Sequence, residues 1–292
     1  MYTNTVILND HIRVYQGTAY IMRALHSMQG CKKVIVFDLD ETLGSFSDLC
    51  ILWMGILKYS SNLPNKQDFF NQLLDLYPEF LRTDILKLLS FLYRRKQTRA
   101  CSKLFVYTNN QCDPSIEWVS TITRYFDYKL NCPPDKPVFD HIIRAFMIGN
   151  QRIEFMRSTH EKTYEDFLKC TLLPRNTEIC FIDNTQFDGM LKERVYYIRP
   201  KSYFHGLSGQ TVLMRLQKSK LLSGTVYGQV VDFYKANVKC EPTRLSSDKL
   251  VAEKIMYYLR EFFYLSSRKP KTRKIHVNLG RFTRKRKKLS NS

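Results

Sequence analysis

The 292-residue sequence has no apolar run long enough to cross a bilayer. Runs such as residues 50–57 stop far short of the roughly 20 residues a spanning helix needs. Residues 1–10 lack a basic patch followed by an apolar core, so no secretory signal is expected. The eight cysteines include no CxxC pair and have no His cluster at zinc-finger spacing, which argues against cysteine as a metal ligand. Several lie in apolar, strand-like runs, as Cys180 does, so reduced and buried thiols are expected. No GxSxG motif accompanies Asp140 and His141, which excludes a serine hydrolase, and the lack of GxxxxGK(S/T) excludes a P-loop kinase. His141 and His160 have no metal-like partners and read as exposed or structural. No internal repeat is present. These absences describe a protein of the cytoplasm or nucleus with no membrane partner.

What is present is positive charge. Hydrophobic residues at 44% and charged residues at 25% are ordinary for a globular chain, but the formal net charge of +19 is not. Residues 266–292 hold eleven Lys or Arg, from Arg268 to Lys288, and no acid, leaving +8 for residues 1–265. Such a basic, disordered tail is expected to meet nucleic acid or an acidic partner, or to act as a nuclear address.

Apolar periodicity organises the remainder. Ile12, Tyr15, Ala19, Met22 and Leu25 recur at helical spacing, predicting a helical segment within residues 1–30. Four short apolar runs then read as buried parallel strands: 33–38, 103–108, 178–183 and 194–198. Residues 46–60 and 66–95 read as helices, with a break at Pro78 and a cap at Thr83. Asp113 and Pro114 signal a further helix start, with Ile116, Val119, Ile122 and Phe126 facing inward. Residues 140–157 change to a shorter period around Gly149 and Asn150, a hairpin signal. Past residue 200 the pattern loosens, with helices near 210–220 and 247–265. The aromatics Tyr257, Tyr258, Phe262, Phe263 and Tyr264 follow a helical pattern and read as core or a docking face. Strands alternating with helices predict an α/β fold, a parallel sheet covered on both faces.

The residues that carry chemistry stand at strand ends. Asp38 and Asp40 close the first strand, where open α/β sheets place their sites. A carboxylate attacking a phosphate meets repulsion of about 4 kcal/mol for unit charges 4 Å apart at an effective dielectric of 20. A cation and several donors must therefore surround the phosphoryl group. Thr108 ends the second strand with a hydroxyl, Lys162 supplies a cation, and Asp183, with Asn184 and Asp188 behind it, offers oxygen ligands suited to Mg²⁺. Lys169 competes with Lys162 for the cationic role.

The run Val36, Phe37, Asp38, Leu39, Asp40, Glu41, Thr42, Leu43 resembles the first signature of the haloacid dehalogenase superfamily. Its Glu-Thr-Leu continuation is similar to the branch that dephosphorylates the RNA polymerase II C-terminal domain, the NLI-interacting-factor-like phosphatases. Phe105 to Asn110 resembles the second signature, Lys162 the third, and Phe181 to Asp188 the fourth. The likeness covers residues 31–200 in islands. It implies a Rossmann-like domain over 31–200 with a helical insert at 43–102 and a hairpin insert at 140–157. A helical extension (201–265) and the basic tail (266–292) would follow. By position it makes Asp38 the nucleophile and Asp40 the general acid. Thr108 and Lys162 would hold phosphate, and Asp38, Asp183 and the Asp40 carbonyl would bind Mg²⁺, supported by Thr42, Asn184 and Asp188. The acid at position 40 favours a phosphatase over dehalogenases, which lack it. Asn184 departs from the second Asp found in many members. Large DNA viruses encode members of this branch, one associated with baculovirus nucleocapsids. The basic tail and short insert fit such a protein, with a nucleocapsid location and a phosphorylated, DNA-condensing basic protein as substrate.

The expected activity is thus a Mg²⁺-dependent phosphatase acting on phosphoserine or phosphothreonine of a protein. A nucleotide or nucleic-acid-end phosphatase is the second reading. A nucleic-acid- or capsid-binding scaffold with little or no catalysis is the third, though a scaffold needs none of the five site residues. In a receiver domain the phosphoacceptor follows a later strand than the acidic pair, whereas here it comes first.

Overall fold

The computed structural model describes residues 5–9, 11–21, 32–60, 63, 65–112, 117–238 and 248–267. Its centre is a seven-stranded, mostly parallel sheet flanked by helices, a Rossmann-like α/β arrangement. In spatial order the strands are β1 (Thr5–Asn9), β2 (Ile12–Gln16), β9 (Val195–Pro200), β8 (Glu178–Ile182), β3 (Lys33–Phe37), β4 (Lys103–Tyr107) and β5 (His141–Ile143). The five from β9 to β5 are parallel. β3 shows why its sequence is apolar throughout. Ile35 and Phe37 pack into the core on one face, and Val34 and Val36 into the core on the other. The larger core lies under α2 (Ser47–Tyr59), α3 (Lys66–Asp75), α4 (Ile85–Gln97) and α5 (Trp118–Lys129). It also takes in α7 (Gly209–Ser219), α8 (Gly224–Asn237) and α9 (Asp248–Ser267). Residues of the expected C-terminal extension, such as Val212, Val230 and Leu259, thus belong to the main core. The smaller core gathers around Phe167 of α6 (Tyr164–Thr171).

Several expectations need correction. The described start of the N-terminal segment is not helical: β1 and β2 form an antiparallel hairpin whose second strand lies antiparallel on β9, and Met22 and Leu25 lie outside the described residues. The helical spacing of Ile12 and Tyr15 had skipped Val14. Ile12 and Val14 face one core, Tyr15 the other, and Arg13 is exposed, a two-residue period. Gly17 then lets the chain pass the carbonyls of Lys192 and Glu193, where a Cβ would collide with both. Only Thr18–Ile21 (α1) is helical before the described chain breaks off.

Residues 141–143 join the main sheet beside β4 rather than an insert. The hairpin is only β6 (Met147–Ile148) and β7 (Gln151–Arg152), turning at Gly149 with φ +55°. α4 begins after Asp84 in the left-handed region, so Thr83 is not its cap. Residues 113–116, with the expected Asp113 cap and Ile116, lie outside the described residues, as does the tail from 268. α8 was not foreseen. Its Gly, Thr and Val content gives weak helix propensity, and packing on α2 compensates. There Gly55 allows the Phe233 ring to approach within 2.9 Å of where a Cβ would stand.

The cysteine expectation is also corrected: Cys50 of α2 and Cys112, in the segment after β4, form a disulfide. Cys101, Cys132, Cys170 and Cys180 are free thiols. Among the described residues no helix is long and apolar enough to cross a membrane.

Candidate active site

The parallel strands connect outward in opposite directions from the junction between β3 and β8. A ligand crevice belongs at such a junction, beyond the strands' carboxyl ends. A cavity of about 810 Å³ opens there, and Asp38, Asp40, Thr108, Lys162, Asp183 and Asn184 all line it.

Asp38 extends β3 by one residue, its N–H donating to the Ile182 carbonyl at 2.9 Å. The chain then leaves the pleat, with Glu41 at φ 57°. Arg82, buried at 2% exposure, secures this turn by donating to the carbonyls of Glu41, Thr42 and Lys201. In an extended strand residues 38 and 40 would lie on one face about 7 Å apart. The turn places both carboxyls on the wall of the same cavity.

Lys162 is the hub. Its ammonium is 2% exposed and lies 2.6 Å from Asp38 Oδ1 and 2.7 Å from Asp183 Oδ2. Burial alone would lower its pKa, but the two carboxylates outweigh that and hold it protonated, above its usual range. Lys169 faces outward on α6, 59% exposed, with Asp166 at 3.5 Å, so the competition between the two lysines goes to Lys162. Asp183 follows β8, and its Oδ1 accepts from the Thr185 N–H at 2.8 Å. Burial pushes its pKa up against the pull of Lys162, and Asp38 adds to the rise.

Thr108 follows β4 and is buried. Its Oγ accepts the Asn110 N–H at 2.9 Å, leaving the hydroxyl proton for a ligand in the cavity. Asn184 is a strut rather than an open ligand. Its Oδ1 accepts from the Thr42 hydroxyl at 2.9 Å, and its Nδ2 donates to Glu41 Oε2 and Ser202 Oγ, both at 3.1 Å. Thr42 and Asn184 together lock the turn after β3 to the end of β8. Asp188 is not brought into the site. It is exposed at the start of a short 3₁₀ turn (Asp188–Met190), its Oδ1 accepting from Gln186 Nε2 at 2.8 Å, outside the cavity lining.

Two residues escaped the sequence reading. Asn110 donates from Nδ2 to Asp40 Oδ2 at 2.8 Å and so aims the second carboxyl. Its sequence signal was its place at the end of the run that resembles the second signature, which gave it no role. Arg157, fully buried, donates to the Thr108 and Arg144 carbonyls at 3.1 and 2.8 Å and to Asn109 Oδ1 at 2.7 Å. It also donates to the His160 carbonyl at 2.9 Å, joining the Thr108 loop to the segment that carries Lys162.

The electrostatics are unbalanced. Three carboxyls share one buried ammonium, and Asp40 responds with a pKa pushed up to about 7 by burial and by Asp38, against the Asn110 hydrogen bond and Lys162. Among the described residues no cluster of three or more His, Cys, Asp or Glu side chains is arranged to hold a metal ion. Two carboxylates and a backbone carbonyl, with water completing the octahedron, nevertheless suit Mg²⁺. The excess of buried carboxyls is the feature a divalent cation would relieve. Beyond the polar floor, Phe46, Ile51 and Met54 from the α2 side and Trp118 from α5 form an apolar wall.

No family model, curated protein or solved structure matches the chain.

Proposed function

We propose that this chain is a Mg²⁺-dependent phosphatase working through an aspartyl-phosphate on Asp38, of the kind found in the haloacid dehalogenase superfamily. The observation that carries the reading is the meeting of Asp38 and Asp183 on the Lys162 ammonium, with Asp40 and Thr108 in the same cavity. A Mg²⁺ ion held by Asp38, Asp183 and the Asp40 carbonyl would supply the charge that lets a carboxylate approach a phosphate.

Asp38 attacks phosphorus, forming a carboxyl O–P bond as the ester P–O bond breaks. Asp40, with a pKa near neutrality, gives its proton to the departing oxygen. Lys162 and the Thr108 hydroxyl hold the phosphoryl oxygens while their charge rearranges. Asp40, now a carboxylate, takes a proton from the water that attacks phosphorus. Inorganic phosphate leaves and the Asp38 carboxylate returns. Asn110 keeps Asp40 aimed in both steps.

The substrate is a phosphoserine or phosphothreonine of a protein. The cavity exceeds the needs of a phosphorylated side chain, and its apolar wall at Ile51, Met54 and Trp118 suits flanking peptide. Phosphate release from an aryl phosphate, phosphoserine peptides, nucleotides and end-phosphorylated oligonucleotides tests this, with Asp38→Asn as the blank. Mg²⁺-dependent turnover that favours the peptides and vanishes in the variant is expected. Turnover equal in the Asp38 variant would remove the nucleophile and with it the mechanism.

A further inference from the structure

The end of the sheet opposite the cavity also has a defined chemistry. α9 packs against β2, β8 and β9. Near its start Asp248 acts on Arg82, beside the site: burial lowers that guanidinium's pKa to about 10, and the Asp248 charge opposes the fall. Near its finish Phe263 packs on Phe91 of α4, ring centroids 6.1 Å apart. There Arg95 lies over both rings, 5.1 Å from Phe91 and 5.4 Å from Phe263, and Arg260 lies 5.8 Å from Phe91. α4 ends beside them, and exposed Arg94 in its last turn and exposed Arg99 just past its end lead to exposed Lys103 at the start of β4. Lys103 is five residues from Thr108, which puts this edge about 17 Å from the catalytic end at strand rise.

None of Arg94, Arg95, Arg99, Lys103 and Arg260 forms an ion pair among the described residues. The nearby acids are engaged elsewhere. Asp140 takes Lys96 at 3.1 Å, and Glu261 turns inward to the Tyr196 hydroxyl. The chain that follows Ser267 carries the eleven cations and no acid of residues 268–292, so the run of charge continues from this edge in sequence.

We propose that the edge formed by the end of α4, the start of β4 and the last turns of α9 binds the phosphate backbone of nucleic acid. It is an anchoring surface separate from the catalytic cavity. Arg95 and Arg260, whose guanidiniums lie over aromatic rings, present planar donors that match phosphate oxygens. Five cations with no ion-pair partner among the described residues, beside an Asp140 already taken by Lys96, fit a uniform polyanion better than an acidic protein, whose charges are discrete and mixed. This inference does not depend on the phosphatase reading, because nucleic acid on this edge lies a full strand length from Asp38.

The test uses the full chain and a fluorescent DNA duplex, with dissociation constants measured across a salt series. Arg94→Gln, Arg99→Gln and Lys103→Gln together should weaken binding at least tenfold at physiological salt. They should also lower the slope of log affinity against log salt by about 2.7, at roughly 0.9 per lost phosphate contact. Thermal unfolding should not change. A second triple variant, Lys66→Gln, Lys218→Gln and Lys220→Gln, removes the same charge elsewhere and should leave affinity near native. Equal weakening by the two sets, or no weakening by the first, would overturn the surface. Competition by polyglutamate as effective as by unlabelled duplex would overturn the choice of partner.

Discussion

The crowding of three carboxyls around one ammonium makes a stability prediction that needs no substrate. Asp40 has a folded pKa of about 7 against its usual 3.8, chiefly from burial and then from Asp38. A raised carboxyl pKa means that the folded state holds the proton longer than the unfolded chain. Stability is therefore full below the unfolded value and is lost as pH rises through the folded one. A difference of about three pKa units amounts to about 4 kcal/mol withdrawn between pH 4 and pH 8. Asp40→Asn keeps an oxygen for the Asn110 amide but cannot ionise. In a metal-free chelating buffer it should therefore be more stable than the native chain at pH 8 and close to it at pH 4. At roughly 2 °C per kcal/mol for a chain of this size, the gain at pH 8 approaches 8 °C, reduced to the extent that water relaxes around the charge. Scanning calorimetry of both proteins at the two pH values measures it. Mg²⁺ should raise the native Tm at pH 8, because a ligand of the folded state alone stabilises by mass action. A variant equally destabilised at both pH values, or a native Tm that ignores Mg²⁺, would refute the electrostatic account of the site.

Other perturbations separate the roles of neighbouring residues. Lys162→Met leaves Asp38 and Asp183 buried without their cation, so it should lower stability by about 3–5 kcal/mol in denaturant titration and abolish turnover. Asn110→Ala removes the hydrogen bond that favours the ionised Asp40, so the alkaline limb of the kcat–pH profile should move to higher pH while kcat falls about tenfold. A limb that stays in place would mean that Asn110 does not tune the acid. Reducing the Cys50–Cys112 disulfide opens a 62-residue loop. Chain entropy then allows a loss of up to about 4 kcal/mol, read as a lower Tm in the presence of a dithiol and absent in a Cys50→Ser, Cys112→Ser variant.

The strand-end residues Asp38, Thr108 and Asp183 were legible because each closes a short run that is apolar on both faces, and only a buried parallel strand reads that way. Their convergence followed from topology, since neighbouring parallel strands present their ends together. What the sequence hid depends on partners far away along the chain. The aim of Asn110 is set by a carboxyl 70 residues earlier, and the disulfide joins cysteines 62 residues apart. The N-terminal strand was misread because a strand buried on both faces can carry apolar Ile12 and Tyr15 three residues apart, a spacing a helix shares, and only the burial of Val14 between them tells the two apart. Arg157 is the most instructive case. A charged residue beside exposed Phe155 and Met156 reads as surface, yet it is fully buried, and most of the partners that make this tolerable are backbone carbonyls. Carbonyl acceptors leave no trace in residue identity, so no pattern of side chains could have revealed the clamp. Thr108 and the hub Lys162, which would hold the phosphate in the proposed mechanism, nevertheless lie on the two segments it joins. Their separation is therefore set by a guanidinium that itself touches neither reacting group, and a substitution there would disturb the site while every expected signature remained intact.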